Sequence, residues 1–479
     1  MKPDVKRHMV LLLESDDPNI RAEAAEWLAE AGDESVIPCL VMGLRDESKG
    51  VREVSSRSLQ QIATPAVAGA VVPLLAEGDF VLRNLAAKIL IKMGSVSIRP
   101  LMPLLRHTSK DVRKSAVDIL GEIGSPESQY QLLNLLHDED LNVLVSVVEA
   151  IGNIGCVDAV EPLCKLYDVT PSARLTIADA LGKISDVTAS EFLLGKFVQA
   201  FFHRPADQVL FVTLLEALAK VGNLDASHAL MLVMDDIDAS VRPMLIHAIV
   251  SITDRHNLPV RFPAETRNDL LAALHHDAMD VVASAAKALM QFEGDDITQA
   301  FICLLGMEED LDLLLFSHLP LRRNVPGFII DLLSTGAIRQ KAQPILLFGK
   351  LVSLSATGDR TNEPRSVPPG AFEVLAREFE AADLETQTLL ADLLFQLDVG
   401  RALELFGAMA GAPDPWFKLH LLELFTNVQD IRAGECMRKF LDDEDEMVRD
   451  AAGSLLLSKS VPPASPMNRP FVSEGDELL

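Results

Sequence analysis

A repeat of 30 or 31 residues runs through most of this 479-residue chain and constrains its fold more than any other sequence feature. It is clearest at one anchor position, usually arginine, in each unit. The regularly spaced anchors are Arg21, Arg52, Arg83, Arg113, Leu144 and Arg174, with Gln387, Lys418 and Arg449 later, and Phe211, Arg242 and Ala283 follow longer steps. A fixed period of this length is typical of arrays in which each unit buries its apolar face on its neighbours.

Other positions repeat with the anchor. Residues three and seven places after it are mostly apolar, as at Ala116 and Leu120, so these positions share one face of an α-helix. Glycine eleven places after the anchor predicts a left-handed C-cap, at Gly32, Gly94, Gly124, Gly155, Gly222 and Gly294. Aspartate four places before it predicts an N-cap, at Asp17, Asp79, Asp140, Asp238, Asp310, Asp383, Asp414 and Asp445. A second apolar helix follows, so each unit is predicted to be a helical hairpin.

The pattern D-x-x-[VIL]-R-x-x-A-x-x-x-L-x-x-[IAM]-G, as in DPNIRAEAAEWLAEAG, resembles HEAT repeats, and the short period is most similar to the phycobilisome-lyase-type HEAT-like subclass. The resemblance implies an all-α, right-handed α-solenoid of roughly 13–14 hairpin repeats, with convex first helices and concave second helices. It also implies a ladder in which Asp and the anchor Arg link successive repeats. Leu144, Phe211 and Ala283 depart from the Arg pattern and are expected to lack that link.

The register divides the chain into segments. We expect an N-terminal capping helix at 1–15, regular repeats at 16–310, degenerate repeats at 311–356, an exposed loop or hinge at 357–370, C-terminal repeats at 371–457 and a disordered tail at 458–479.

The charge balance limits the classes of partner. Seventy acidic residues against 43 basic ones give a net charge of −27, which disfavours nucleic acid and anionic membrane surfaces. The longest apolar stretch, Ala66–Ala76, is too short to span a bilayer. The N-terminus does not read as a signal peptide, and the five cysteines form no CxxC pair. We therefore expect reduced thiols, a cytoplasmic location and no membrane insertion.

The search for catalytic motifs finds no phosphate-binding loop, HExxH or Gly-x-Ser-x-Gly elbow. The sequence therefore predicts no enzyme, no catalytic, cofactor-binding or metal-binding residue, and no cofactor. The dyads His137–Asp138 and His276–Asp277 resemble the metal dyad of HD phosphohydrolases. Both fall at repeat boundaries, where we favour an Asp that caps the next helix and a His at the preceding helix's negative end.

A few other residues are open to a functional interpretation. His107 and His137 share the repeat slot of Arg45, so we interpret all three as cations at a helix C-terminus. Cys156 and Cys164 are interpreted as small buried apolar residues. Trp27 is expected to fill space near the end of the array, whereas Trp416, at a helix start, is equally consistent with burial and with exposure.

Some HEAT-like proteins are enzymes or bind nucleic acid, and the residues of this chain can be compared with theirs. The HEAT-like iron hydroxylase that acts on deoxyhypusine uses His-Glu dyads at repeat ends. No histidine of this chain is followed by glutamate. The best basic stretch for a DNA-repair role, RPLMPLLRHTSKDVRK (99–114), is better explained by cap and ladder positions. Bilin lyases of this repeat class have no simple motif, so the residues do not exclude a bilin-lyase function.

The resemblance implies a non-catalytic scaffold or adaptor that presents an extended surface to one or more proteins, and the remaining acidity favours a partner with a basic surface. The alternative is a HEAT-like lyase or chaperone acting on a cofactor-carrying client protein. In the tail, FVSEGDELL is either a docking segment or, as we favour, a solubilising terminus.

Overall fold

The fold was examined in a computed structural model, which describes residues 3–202, 207–356, 367–412 and 414–460. These residues form α-helices and short 3₁₀ helices joined by tight turns, and none of them lies in a β-strand. The chain divides into two compact units, Met1–Ala288 and Leu289–Leu479. The expected loop at 357–370 lies outside the described residues from 357 to 366, and the expected tail lies outside them from 461 onward.

Unit 1 contains helices α1 to α18. Their bounds are α1 (Pro3–Glu14), α2 (Pro18–Glu30), α3 (Ile37–Gly43), α4 (Lys49–Ile62), α5 (Pro65–Val71), α6 (Phe80–Met93), α7 (Ile98–Leu101), α8 (Lys110–Ile123), α9 (Gln129–Asn134), α10 (Leu141–Ile154), α11 (Val160–Val169), α12 (Arg174–Lys183), α13 (Val187–Phe202), α14 (Gln208–Val221), α15 (Leu224–Leu232), α16 (Arg242–Arg255), α17 (Arg267–Ala273) and α18 (Met279–Leu289).

Unit 2 contains the remaining helices. Their bounds are α19 (Asp295–Leu304), α20 (Glu309–His318), α21 (Val325–Thr335), α22 (Ala342–Ala356), α23 (Ala371–Ala381), α24 (Leu384–Leu397), α25 (Val399–Phe406), α26 (Pro415–Asn427), α27 (Ile431–Arg438) and α28 (Glu446–Ser460).

The helices of each unit form two layers. Even-numbered helices are the first helices of the hairpins and stack on one another, as α8 does on α10 and α24 on α26. Odd-numbered helices from α3 onward are the second helices and stack likewise, as α11 does on α13. Among the described residues there are fourteen first and thirteen second helices. The expected all-α solenoid of helical hairpins is confirmed.

The predicted helix caps are mostly confirmed. Asp17, Asp79, Asp140, Asp383, Asp414 and Asp445 each accept a hydrogen bond from a backbone N–H two or three residues on. Two predicted caps are wrong. Asp238 accepts from the Ser240 N–H, but α16 begins only at Arg242. Asp310 lies inside α20, because the helix begins two residues earlier than predicted, at Glu309, with Glu308 at its N-cap.

Only some of the predicted left-handed glycine caps are confirmed: Gly94 has a ψ of −131°, and Gly294 lies directly before α19 with a φ of 153°, so neither is left-handed. Gly124 and Gly155 are left-handed, with φ of 67° and 74°, a conformation that side chains with a Cβ disfavour. Gly222 was predicted to be left-handed as well, but its φ is −55°. Its N–H still binds the Leu218 carbonyl oxygen, so α14 ends there without a left-handed turn.

A polar ladder links repeats, and its acidic partner is not the capping Asp. Arg113 donates two hydrogen bonds to Asp138, of 2.7 and 2.8 Å. Arg21 binds Asp46 and Lys418 binds Asp443 in the same way. Each of these acids lies 25 residues after its cation, in the loop before the next first helix. It also accepts the backbone N–H two residues on, which fixes that loop.

The ladder is more selective than the resemblance implies. Arg52 and Arg174 occupy the arginine slot, but their hydrogen bonds go to carbonyl oxygens, among them those of Asp46 and Tyr167. At two positions without arginine the side chain is apolar and buried, as expected. Leu144 is buried, and the Phe211 ring lies 4.7 Å from the ring of Phe197.

A close approach between first helices adds a second link. A Cβ placed on Gly121, Gly152 or Gly182 would lie within 3.0 Å of Ala150, Ala180 or Ala217, respectively, on the next first helix. These glycines lie eight places after the anchor, and the facing alanines lie six places after the next anchor. The backbones of α8, α10, α12 and α14 therefore pack without intervening side chains.

Candidate interaction surfaces

The outward surface of the first helices is defined by two repeat positions. Side chains five and nine places after the anchor point away from the buried stripe. We call this the first-helix face of unit 1. Its side chains on α4 to α14 are exposed apart from the half-buried Asp179, and they are Arg57, Gln61, Lys88, Lys92, Asp118, Glu122, Glu149, Asn153, Asp179, Lys183, Glu216 and Lys220.

Charge changes sign along this face. It is basic on α4 and α6 and predominantly acidic from α8 to α14. On the acidic part, Lys183 and Lys220 both bind Asp179, with N–O distances of 2.8 and 3.0 Å. Because one carboxylate bridges two cations from neighbouring helices, the side chains there are held in place while Glu149 and Glu216 stay exposed.

A groove of about 590 Å³, with both polar and apolar lining, lies on the same layer, across α14, α16 and the start of α18. His247 lines this groove, with Nδ1 2.9 Å from the Ser284 hydroxyl and Nε2 3.7 Å from Asp280. These are the residue types of a hydrolytic triad. However, Ser284 is only 8% exposed, so its hydroxyl is screened from a substrate in the groove. The arrangement supports polar recognition better than nucleophilic attack.

An apolar groove of about 530 Å³ lies in unit 2 between α22 and α24. It is lined by Ile345, Leu346, Gly349, Lys350, Ser353, Leu389, Asp392, Leu393 and Gln396. The Asp392 carboxylate reaches α26, where it lies 3.0 Å from Nε2 of His420. This hydrogen bond raises the pKa of His420 above its usual value, although burial opposes it.

His137 lies in the last turn of a short 3₁₀ helix, as predicted, but Asp138 and the His of the other dyad have partners that differ from the predicted ones. Asp138 does not cap α10; it binds Arg113, whose hydrogen bonds lower the pKa of Asp138. His276 does not meet a helix end, because its Nδ1 lies 3.1 Å from the Ala278 backbone nitrogen, whose N–H it accepts. No group of three or more potential metal ligands occurs in the described ranges.

Arg45 and His107, which share a repeat slot, follow the ends of short helices, but their side chains make contacts that differ from the predicted ones. Arg45 forms a two-pronged ion pair with Glu77, one contact being 2.6 Å. His107 Nδ1 accepts the Ser109 N–H at 3.1 Å, the loop-fixing role that Asp138 has in the next repeat. Neither side chain makes the predicted contact of a cation with the carbonyl oxygens at a helix C-terminus.

The cysteines and tryptophans are placed as follows. Cys156 is buried, Cys164 is half-buried, and all five cysteines are free thiols. Burial raises the pKa of Cys164 to about 11, which disfavours the reactive thiolate. Trp27 stacks on His8 of α1, with ring centroids 3.9 Å apart, near the start of unit 1. Trp416 is 67% exposed in the first turn of α26.

A family model for HEAT repeats matches residues 7–91 and 98–182, within the region where the ladder and the hairpins are most regular. These two matched stretches of the chain have the sequence pattern of HEAT repeats. A curated relative, the uncharacterized phycocyanin operon protein Z of Pseudanabaena tenuis, is 26% identical over 187 residues, which cover 36% of this chain and 93% of that protein. No helix among the described residues of this HEAT-repeat chain is long and apolar enough to cross a membrane.

A comparison with solved structures gave further matches. A crystal structure of importin beta matches with 11% identity and a TM-score of 0.43, over 95% of this chain and 77% of that one. Kap95p in a structure with RanGDP matches with 13% identity and a TM-score of 0.45, over 95% and 71%.

The acidic ladder partners were missed by the sequence analysis. Asp46, Asp138 and Asp443 lie six places before the next anchor, and each is followed two residues later by Ser48, Asp140 or Asp445 at the helix start. This pair of polar residues, two positions apart, is the sequence signal that could have identified the ladder partners. The first member binds the preceding anchor and the second begins the next helix.

Proposed function

We propose that this HEAT-repeat chain is a non-catalytic protein-interaction scaffold located in the cytoplasm. The observation that carries the proposal is the first-helix face of unit 1, which presents exposed charged side chains at the same repeat positions on successive helices. Such a surface recognises an extended partner through many regularly spaced contacts. The net charge of −27 and the acidic stretch over α8 to α14 favour a partner with a basic surface there.

The test is capture of partners from native lysate, followed by cross-linking mass spectrometry. We expect a stoichiometric protein whose lysines cross-link near the acidic part of the first-helix face. Glu149→Lys with Glu216→Lys should abolish its capture. The matched control reverses two exposed acids of the second-helix layer, Glu127→Lys and Glu191→Lys, and should leave capture intact. Turnover of a small molecule without any protein partner would contradict the proposal.

The alternative function is a lyase or chaperone acting on a cofactor-carrying client. The observation that favours it is the similarity to phycocyanin operon protein Z, which this chain spans almost completely. The apolar groove between α22 and α24 offers a site for a flat apolar cofactor at the client interface. Incubation with bilins should then give a shifted visible absorbance, and Leu389→Glu should remove the shift. An unchanged spectrum would exclude this alternative.

The division of the chain into a capping helix, regular repeats at 16–310, degenerate repeats at 311–356, C-terminal repeats at 371–457 and a tail belongs to the same proposal. An exposed loop at 357–370 would separate the degenerate repeats from those at 371–457, and a tail at 458–479 would extend beyond the last of them. Deletion of 461–479 should leave the melting temperature nearly unchanged. A large fall would show that the tail packs on the repeats.

A further inference from the structure

A basic stretch interrupts this acidic chain in the third repeat. Residues 80–110 contain six Lys or Arg and no Asp or Glu, although the whole chain has 70 acidic residues against 43 basic ones. Two of the six, Lys88 and Lys92, lie one turn apart on the exposed side of α6. Arg57 occupies the same repeat position on α4 as Lys88 does on α6, and these two helices pack together.

Among the described residues the three cations are unpaired, unlike Lys110 and Lys114 farther along the chain. Lys110 binds Asp140 and Lys114 binds Asp118. Arg57, Lys88 and Lys92 form no ion pair with any of the residues that the structure describes. Neither a cap nor a ladder contact therefore accounts for their charge.

An apolar pair lies at the other end of the same helix face. Phe80 is 66% exposed and Val81 is 50% exposed, in the first turn of α6. With Asn84 between, the exposed side of α6 runs from two apolar side chains to two lysines. We call Arg57, Phe80, Val81, Lys88 and Lys92 the α6 patch.

We propose that the α6 patch binds an acidic segment of a partner protein, with carboxylates on Arg57, Lys88 and Lys92 and an apolar side chain on Phe80 and Val81. This inference rests on the proposed scaffold function and adds a second contact of opposite charge. An acidic segment is repelled by most of a chain with net charge −27 and attracted at this patch, so the patch fixes where and in which direction it docks.

The surroundings favour a protein over a nucleic acid. A nucleic-acid site gains affinity by neutralising many phosphates along a continuous basic track. Here only three cations are grouped, and the next first helix presents Asp118 and Glu122 at the corresponding positions. The exposed phenyl and isopropyl groups beside the lysines have an obvious partner in an apolar side chain but none in a phosphate backbone.

The experiment measures fluorescence anisotropy of the full chain with a labelled peptide of repeating Glu-Glu-Leu-Phe units. We expect saturable binding that weakens as salt rises, and at least tenfold weaker binding when Gln replaces Glu in the peptide. Lys88→Glu with Lys92→Glu should also weaken binding about tenfold or more. Phe80→Ala should weaken it independently of salt, because that contact is apolar.

The matched control is Arg99→Glu with Arg106→Glu, which removes two exposed cations of the same basic stretch outside the α6 patch. It should leave peptide affinity within about twofold. Equal losses of peptide affinity in the two double variants would contradict binding at the α6 patch. Equal affinity for the Glu and Gln peptides would contradict it as well. Tighter binding of duplex DNA than of the Glu peptide would overturn the choice of partner. If the peptide fails while lysate capture through the acidic face persists, only this inference falls.

Discussion

Arg113 and Asp138 form a two-pronged ion pair across the boundary between two repeats, with both side chains almost completely buried. Arg113 also donates to the carbonyl oxygens of His107 and Thr108 in its own loop. One guanidinium therefore ties two successive loops together. Comparable links at Arg21–Asp46 and Lys418–Asp443 place the same device near both ends of the described chain.

Removing the cation of this pair should destabilise unit 1 strongly. Arg113→Met keeps the aliphatic length but leaves the Asp138 carboxylate, 5% exposed, without its partner. The expected loss is about 3 kcal/mol in the free energy of unfolding, measured by urea denaturation. The control is Lys165→Met, which breaks an exposed pair with Glu161 and should barely change stability. Equal effects would mean that the ladder does not stabilise the stack.

The acidic partner gives the ladder a defined pH dependence. Hydrogen bonds from Arg113 lower the pKa of Asp138 in the folded state. The pair therefore stabilises the fold fully above the unfolded Asp pKa of about 3.9 and loses its effect as pH falls through the lower folded value. Asp138→Asn should cost most near neutral pH and progressively less in acid, measured as urea midpoints. The same change at the exposed Asp158 should show no such trend, and a constant cost for Asp138→Asn would contradict the assignment.

Close helix packing makes a third measurable prediction. In Gly152→Ala the new Cβ would lie 2.8 Å from the Ala180 Cα, so α10 and α12 must move apart. We expect a loss of about 2 kcal/mol in unfolding free energy. Gly69→Ala is the matched control, because nothing lies within 4 Å of its added Cβ. It should gain up to about 1 kcal/mol from helix propensity. Stabilisation by both changes would show that the helices are not in close contact.

The repeat period predicted much of the fold because its strongest signals are local. Asp17 and Asp140 act within three residues of themselves, so their capping roles follow from sequence alone. The ladder joins residues 25 apart, and at 138–140 and 443–445 two acids two residues apart compete for the roles of cap and partner. Which acid takes which role depends on how the loops stack.

The candidate surfaces also differ in how far the sequence alone predicts them. The exposed positions of the first-helix face follow from the buried stripe opposite them, and the period alone could have given them. The α6 patch could not be predicted from the period alone. Whether Lys88 and Lys92 form ion pairs depends on which acidic side chains of neighbouring repeats lie within reach of them. The grooves depend on gaps between packed helices, and Ser284 beside His247 is 37 residues away in sequence.

The His420–Asp392 pair should respond to pH in the opposite sense to the ladder. A hydrogen bond to the Asp392 carboxylate raises the folded pKa of His420, so the pair stabilises the fold below the unfolded His pKa of about 6.5 and loses its effect as pH rises through the folded value. Asp392→Asn should lower the His420 pKa in an NMR titration and cost more stability in mild acid than in alkali. The adjacent Gln396→Ala should leave that pKa in place. An unchanged His420 titration in Asp392→Asn would mean that the two side chains are not in contact in solution.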